Sequence, residues 1–290
     1  MYQPFTVIVM NRLRPVLIVL FAAFMLGGGI SHASDMDKEK RWADQIVDNL
    51  VVGDVAWLEI GDKKILGIYT EQTMDKPKGG VILMHGLGVH PDWNDVISPL
   101  RQDLPEHGWS TLSIQMPILG NDAGLKEYVP LMKEVPERIN AAVKYLNSQG
   151  ISNIALLGHS TGATMGAYYL AKDTVNAKKI RALIAIGTVA QKEADPEMDT
   201  LSFLEKIKIP VLDLYGSQDL EIVLETQDLR KAAAKRAKNK LYRQVKVMGA
   251  NHFFTGLNDD LVRLIYSWLA RYAPPLKIKK EKTDAKQPTK

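Results

Sequence analysis

Short apolar runs alternate with amphipathic segments along most of the chain. This alternation predicts an α/β fold in which the strands of a mostly parallel sheet are joined by helices on both faces. A 3.6-residue period of apolar positions predicts a helix over 127–147, and acidic residues in the first turn mark a last helix from Asn258. The predicted strands are a hairpin at 54–60 and 63–70, followed by 80–84, 109–115, 151–157, 181–187, 210–215 and 241–248, with a further helix at 91–106.

The chain of 290 residues with 46% apolar composition is long enough for one α/β core. We expect that core to occupy residues 34–272. The interval from Thr188 to Ile209 is too short for an inserted cap domain and offers one short helix at most, within 197–204. The sequence therefore predicts an open site with a minimal cap or none. Its rim would consist of loops 86–93, 117–126 and 189–205.

The N-terminal segment has the pattern of an export signal. Basic residues at 12 and 14 precede the apolar run Val16–Ile30, and small residues lead to Ala33. This pattern predicts a signal peptide over 1–33, cut after Ala33, and a periplasmic or secreted protein. The run is shorter than the ~20 residues of a spanning helix. An uncleaved membrane anchor is the alternative, and translation from Met10 instead of Met1 is also compatible with the pattern.

Charge is concentrated at the two ends of the chain. The leader contributes +2 and the lysine-rich segment 273–290 contributes +4 to a total of +4, which leaves −2 for residues 34–272. A nearly neutral body gives no support for nucleic-acid binding. We expect 273–290 to be a disordered basic tail, with weak contact to an anionic membrane surface as an alternative.

The cysteine and histidine content limits the available chemistry. The chain has no cysteine, which excludes disulfides and a thiolate nucleophile. Its six histidines show no close pairing at a spacing of four residues. We therefore predict neither a metal site nor a bound cofactor.

The segment from Gly158 to Gly162 joins an apolar strand to a helix of small residues. Its sequence is the G-x-S-x-G pattern, in which serine lies on a sharp turn between strand and helix. Glycine is expected on both sides because side chains there would collide across so tight a turn. Ser160 would lie at the N-terminus of a helix, where backbone N–H groups stabilise developing negative charge. These features make Ser160 the candidate nucleophile.

Three other polar segments also follow predicted strands. The glycine-rich loop His85–Gly88 follows strand 80–84, Asp219 follows 210–215, and His252 follows 241–248. The chain order of Ser160, Asp219 and His252 matches that of a serine-hydrolase triad. Open α/β sheets place their sites at the carboxyl ends of the strands, so these segments are expected to meet there. Asp213 is the alternative acid, although its position inside an apolar strand favours a structural partner.

Together, these motifs resemble the α/β-hydrolase superfamily over roughly residues 54–272. The matching motifs are HGLG at 85–88, GHSTG at 158–162, GSQD at 216–219 and NH at 251–252. Within the superfamily, His90-Pro91-Asp92-Trp93 and Gly108-Trp109 are similar to an uncharacterised bacterial envelope family of unknown function.

The resemblance implies a role for each matching residue. Ser160 would be the nucleophile, His252 the general base and Asp219 the carboxylate that orients the imidazole. Backbone N–H groups of Leu87 and Thr161 would form the oxyanion hole. Substrate contacts are expected from His85, Gly86 and His159, and His85 is also expected to brace its own loop.

The resulting hypothesis is an exported serine hydrolase of the carboxylesterase or lipase-like kind. It would cleave a small-molecule or lipid ester through an acyl-enzyme. Peptidase or acyltransferase activity with the same triad is an alternative within this chemistry. A non-catalytic envelope binding protein on the same scaffold is the alternative from a different class. The sequence leaves the oligomeric state open.

Overall fold

The computed structural model describes residues 33–172, 176–191 and 193–276. All of the predicted leader except Ala33, and the predicted tail from residue 277 onward, lie outside these described residues. Across the described ranges, none of the helices has the length and apolar character needed to cross a membrane.

Eight strands form one sheet, in the spatial order β1-β2-β4-β3-β5-β6-β7-β8. β1 pairs antiparallel with β2, and β2 pairs antiparallel with β4, whereas all later pairings are parallel. The predicted opening hairpin and the mostly parallel sheet are thereby confirmed. The strands are β1 Asp54–Ile60, β2 Lys63–Thr70, β3 Gly79–Met84, β4 Trp109–Ile114, β5 Ile154–His159, β6 Ile180–Ile186, β7 Val211–Gln218 and β8 Tyr242–Asn251.

Helices cover both faces of the sheet. On one face, α3 and α4 pack together, and on the other face α2 packs with α8. The helices are α1 Met36–Asn49, α2 Ile97–Asp103, α3 Val135–Ser148, α4 Thr161–Lys172, α5 Thr200–Leu204, α6 Glu221–Glu225, α7 Gln227–Arg236 and α8 Asn258–Tyr272, with 3₁₀ turns at Leu104–His107, Leu125–Glu134 and Ala177–Lys179.

The central strands bury both of their faces, which explains their continuous apolar sequences. In β5, Ile154 and Leu156 enter the core beneath α3 and α4. Their neighbours Ala155 and Leu157 enter the core beneath α2 and α8. Successive side chains of a strand point to opposite faces, so one apolar run supplies both cores.

The interval between β6 and β7 contains no cap domain among its described residues. Its one α-helix is α5, which begins at Thr200 and has Asp199 as its N-cap. The Asp199 side chain accepts a hydrogen bond from the backbone N–H of Ser202 at 3.1 Å. The prediction of a minimal cap is confirmed.

The predicted helix 91–106 is wrong in its first part, because α2 begins only at Ile97. Residues before it form turns that place Asp92 beside the buried Arg101, with 2.7 Å between its carboxylate oxygen and Nη2. Arg101 also donates to the carbonyl of Val52 at 2.6 Å. Apolar periodicity does not report such a pairing between a loop and a helix.

The predicted helix 127–147 is divided in two by prolines. Pro130 lies within the 3₁₀ segment Leu125–Glu134, and Pro136 lies in the first turn of α3. Proline lacks a backbone N–H and is accepted in a first helical turn but not in an α-helix interior. The period of apolar residues continues across the break because both segments bury the same side.

The helix α1 was not predicted from the sequence. Its charged residues leave only a narrow apolar stripe, in which Ala43 and Ile46 pack against Leu66 and Ile68 of β2. Asp35 caps its N-terminus by accepting a hydrogen bond from the backbone N–H of Lys38 at 2.9 Å.

The predicted tail also begins one residue too early. Ala273 is fully buried, and its carbonyl accepts a hydrogen bond from Asn153 Nδ2 at 3.0 Å. Packing against the core therefore extends past the end of α8.

Replacing Leu156 in the central strand tests the burial described for the sheet. The substitution Leu156→Ala should lower the free energy of unfolding by about 2–5 kcal/mol, because it opens a cavity in a closely packed core. Urea unfolding measures the change. Val51, which is 93% exposed, provides the control: Val51→Ala should stay within about 0.5 kcal/mol of the native chain. Equal effects at both positions would contradict the described core.

Candidate active site

Ser160 occupies the turn between β5 and α4. Its φ of +56° lies in the left-handed region, which is uncommon for a residue with a side chain. Such a conformation costs on the order of 1–3 kcal/mol and persists only where its surroundings enforce it. The backbone N–H of Ser160 donates to the carbonyl of Ile186 at 2.8 Å, which fixes the turn to the end of β6.

The two flanking glycines are required by close backbone contact. A β-carbon at Gly158 would lie 2.3 Å from the carbonyl oxygen of Gly162. A β-carbon at Gly162 would lie 2.3 Å from the carbonyl oxygen of Met84, in the strand that leads to loop 85–88. The glycines therefore bring the turn, the helix and the neighbouring loop together around Ser160.

His252 and Asp219 form a buried hydrogen-bonded pair. Nδ1 of His252 lies 2.6 Å from Oδ1 of Asp219. The carboxylate also accepts the backbone N–H of Gly216 at 3.0 Å and that of Leu220 at 2.8 Å. These bonds fix the orientation of the carboxylate, which in turn fixes the imidazole ring.

Burial alone would raise the pKa of Asp219. The hydrogen bonds from the His252 ring and from the backbone of Gly216 and Leu220 outweigh it, and the pKa lies below its usual value. Asp219 is therefore a carboxylate at neutral pH. Since a carboxylate only accepts hydrogen bonds, Nδ1 of His252 carries the proton and Nε2 is the basic ring atom.

Ser160 and His252 border two consecutive residues at the end of β6, Ile186 and Gly187 respectively. Ser160 binds the carbonyl of Ile186, and a β-carbon at Gly187 would lie 2.8 Å from Cε1 of His252. Gly187 has a φ of +56° and leaves the space that the imidazole occupies. The hydrogen bonds of the described residues do not include one between Ser160 Oγ and the His252 ring.

The glycine-rich loop approaches Ser160 from the neighbouring strand. A β-carbon at Gly86 would lie 3.1 Å from Cβ of Ser160, so glycine allows the close approach. Leu87 follows it and is partly buried against the core. Thr161 is the first residue of α4, where a backbone N–H has no intrahelical acceptor. Loop 85–88 and the N-terminus of α4 thus both border the serine.

His85 braces its loop and does not line the site. It has no exposed surface, and its Nε2 accepts the backbone N–H of Met116 at 2.9 Å. Gln115 Nε2 lies 3.0 Å from the same nitrogen, and Nδ1 lies 2.9 Å from the carbonyl of Gly86. Burial lowers the pKa of His85 to about 3. This placement corrects the assignment of His85 to substrate contact.

His159 is also buried, with 2% of its surface exposed. Its Nε2 lies 2.9 Å from the backbone carbonyl of His252. Burial, together with the neighbouring His252, lowers the pKa of His159 to about 4, so the ring is neutral and Nε2–H donates. His159 therefore fixes the His252 loop to the serine turn, a positioning role that differs from the predicted substrate contact.

Asp213 belongs to a separate buried cluster. Its Oδ2 accepts from Arg230 Nε at 2.9 Å and from Gln244 Nε2 at 2.9 Å. Both members of the ion pair are almost fully buried, at 1% and 0% exposure. The alternative acid therefore has the structural partner expected for it.

A cavity of about 560 Å³ lies beside the first turns of α4. Its wall includes Thr164, one turn beyond Ser160, and residues from two of the predicted rim loops. Most of the lining is apolar, with Lys126, Glu193 and Asp195 as the charged members. Within the described ranges, no cluster of three or more His, Cys, Asp or Glu side chains could hold a metal ion.

Solved structures with the same architecture place the fold in the α/β-hydrolase class. Est1E of Butyrivibrio proteoclasticus has a TM-score of 0.58 and 19% identity, covering 76% of this chain and 98% of its own. The Pyrococcus furiosus esterase has a TM-score of 0.61 and 17% identity over 79% and 95% of the two chains. A lidless α/β serine hydrolase of Xanthomonas campestris has a TM-score of 0.57 and 16% identity over 78% and 98%.

The chain belongs to the family described as "Protein of unknown function (DUF3530)", whose model matches residues 32–131 and 130–271. No curated protein matches the sequence closely enough to count as a relative.

The structural role of Asp213 can be tested by a stability measurement. Asp213→Ala should lower the free energy of unfolding by about 3–5 kcal/mol, because it leaves the Arg230 guanidinium buried without its carboxylate. Urea unfolding checks this value, with the exposed Asp48 as control. Asp48→Ala should change stability by no more than about 0.5 kcal/mol. An Asp213 variant as stable as the native chain would contradict a structural ion pair.

Proposed function

We propose that this protein is an exported serine hydrolase that cleaves carboxylic esters through an acyl-enzyme intermediate. The observation that carries the proposal is the hydrogen bond of 2.6 Å between Asp219 and His252 Nδ1. That bond leaves Nε2 of His252 to act as the base. A hydrogen bond from His159 fixes the His252 loop to the serine turn, and Gly187 leaves space for the ring. The serine itself stands on a strained turn at a helix N-terminus.

In the first half of the reaction, Ser160 Oγ attacks the ester carbonyl while Nε2 of His252 takes its proton. The charged imidazole is stabilised by the Asp219 carboxylate. Negative charge on the former carbonyl oxygen is stabilised by backbone N–H groups of Leu87 and Thr161. His252 then protonates the departing alcohol, and the acyl group remains on Ser160.

In the second half, water replaces the alcohol. His252 Nε2 accepts a proton from water as its oxygen attacks the acyl carbon, and the same proton is returned to Ser160 Oγ when the acid leaves. The buried His85 and His159 take no part in these proton transfers, because their lowered pKa values make both rings weak proton acceptors at neutral pH.

The substrate is an ester with an apolar or aromatic acyl group. The mostly apolar cavity of about 560 Å³ beside Thr164 would receive that group once it is attached to Ser160. Est1E, which shares the fold, has been solved with ferulic acid, an aromatic acid. The predicted leader would deliver the enzyme to the periplasm or the medium.

A fluorophosphonate probe tests the nucleophile directly. The native chain should be labelled covalently at Ser160, and Ser160→Ala should abolish the label because it removes the hydroxyl that the proposed base and oxyanion donors activate. Intact mass and peptide mapping locate the adduct. Ser148, exposed at the end of α3, provides the matched control, and Ser148→Ala should be labelled like the native chain. A folded native sample that remains unlabelled would contradict the proposal.

The role of Asp219 is tested by ester hydrolysis. Asp219→Asn should lower kcat by about 10⁴-fold, because an amide in this position favours the wrong tautomer of His252. Chromogenic esters of graded acyl length provide the measurement. Asp48→Asn, on the exposed face of α1, should leave the rate unchanged. A rate close to the native value in the Asp219 variant would remove the triad as the source of activity.

A further inference from the structure

Two carboxylates share one guanidinium beneath α1. Both terminal nitrogens of Arg138 donate to Glu39 at 2.9 Å, and Nη2 also donates to Glu134 at 3.1 Å. Arg138 and Glu39 are buried, at 0% and 4% exposure, while Glu134 is 23% exposed. The three groups carry one negative charge in excess. Because buried charge is unfavourable unless it is paired, this cluster favours one additional cation.

Ser34 reaches the same two carboxylates. Its backbone N–H donates to Glu134 Oε1 at 2.9 Å, and its hydroxyl donates to Glu39 Oε1. The hydroxyl also accepts the backbone N–H of Ile118 at 2.8 Å. Ser34 is only 6% exposed, whereas Ala33 before it is exposed. The nitrogen of Ser34 is therefore held against the excess charge of the cluster.

That nitrogen belongs to the peptide bond at which the leader is predicted to be cut. We propose that Ser34 is the first residue of the mature chain, and that its α-ammonium group binds the carboxylates of Glu134 and Glu39. The inference rests on the predicted cleavage after Ala33 and is independent of hydrolase activity. It assigns a binding site for the new chain terminus within the folded domain.

The cleavage step is ordinary peptide hydrolysis by a leader-removing peptidase. Water adds across the Ala33–Ser34 bond, the C–N bond breaks, Ala33 leaves as a carboxylate and Ser34 keeps the amine. The amine takes up a proton at neutral pH, since an α-amino group has a pKa of about 7.7–8.0. One amide N–H is thereby replaced by three charged N–H donors, and charge-assisted hydrogen bonds are roughly twice as strong as neutral ones.

The surroundings have room for the new terminus. A cavity of about 250 Å³ borders Ala33 and Ser34. Acidic groups predominate among the charged side chains of the cluster and the cavity wall. The acidic groups are Glu39 on α1, Asp62 between β1 and β2, Glu134 on the 3₁₀ segment and Glu137 on α3, and the basic groups are Lys63 at the start of β2 and Arg138 on α3.

Two forms of the domain test the proposal without altering the buried cluster. One begins at Ser34 and the other at Ala33, both released from a fusion by a protease, so that the second carries its ammonium group one residue farther out. At pH 7, the form beginning at Ser34 should unfold at a midpoint about 2–4 °C higher, a shift typical of one modest stabilising interaction in a domain of this size. Equal midpoints would overturn the proposal.

The pH dependence distinguishes an ammonium ion from a simple packing difference. Pairing with carboxylates raises the pKa of the α-amino group in the folded state above its unfolded value. The stabilisation is then complete below about pH 7.7 and is lost as the pH rises past the folded value. The advantage of the form beginning at Ser34 should therefore disappear by about pH 10–11. An advantage that does not change with pH would overturn the assignment.

Matched variants identify the partner carboxylate. In the form beginning at Ser34, Glu134→Gln should remove most of the pH-dependent advantage, whereas Glu137→Gln, which borders the same cavity, should retain it. The reverse result would overturn the pairing with Glu134. Export of the full chain in a bacterial host, followed by intact mass, should give Ser34 as the first residue, and a different terminus would refute the proposed site.

Discussion

The backbone around Ser160 leaves no space for a β-carbon at either flanking glycine, and the junction of β5, α4 and loop 85–88 depends on that constraint. Gly162 allows close contact with the backbone of Met84, and this contact brings loop 85–88 to the serine. Gly158 allows β5 to turn directly into α4. A larger residue at either position would separate the serine from the helix N-terminus and from the loop at once. The strain at Ser160, with φ of +56°, is sustained by these contacts.

Sheet topology explains how residues far apart in sequence meet. β3, β5, β6, β7 and β8 are parallel neighbours, so the loops that follow them lie along one edge. Chain order and strand position were readable from the sequence, which is why Ser160, Asp219 and His252 could be proposed. The space for the His252 ring depends on Gly187, which was not proposed. Its only sequence signal was a glycine at the end of a predicted strand.

The differences between the predicted and the observed helices share a physical origin. The period of apolar residues indicates which side of a segment is buried, but it does not distinguish an α-helix from a 3₁₀ helix. Prolines at 130 and 136 therefore divide a segment that the period predicts as one helix. The same period did not reveal α1, because its apolar stripe is narrow and much of its attachment is polar. Ion pairs such as Arg138–Glu39 join residues 99 positions apart, and a single sequence contains no signal for them.

The histidines show why residue type alone does not define a role. His85, His159 and His252 are all buried near one serine, yet only His252 has a carboxylate at Nδ1. His85 accepts backbone N–H and His159 donates to a backbone carbonyl, and burial keeps both neutral. A neutral imidazole forms directional hydrogen bonds without adding charge beside the Asp219–His252 pair. The two histidines can therefore fix the loops that surround Ser160, and the proposed mechanism assigns proton transfer to the one ring that a carboxylate orients.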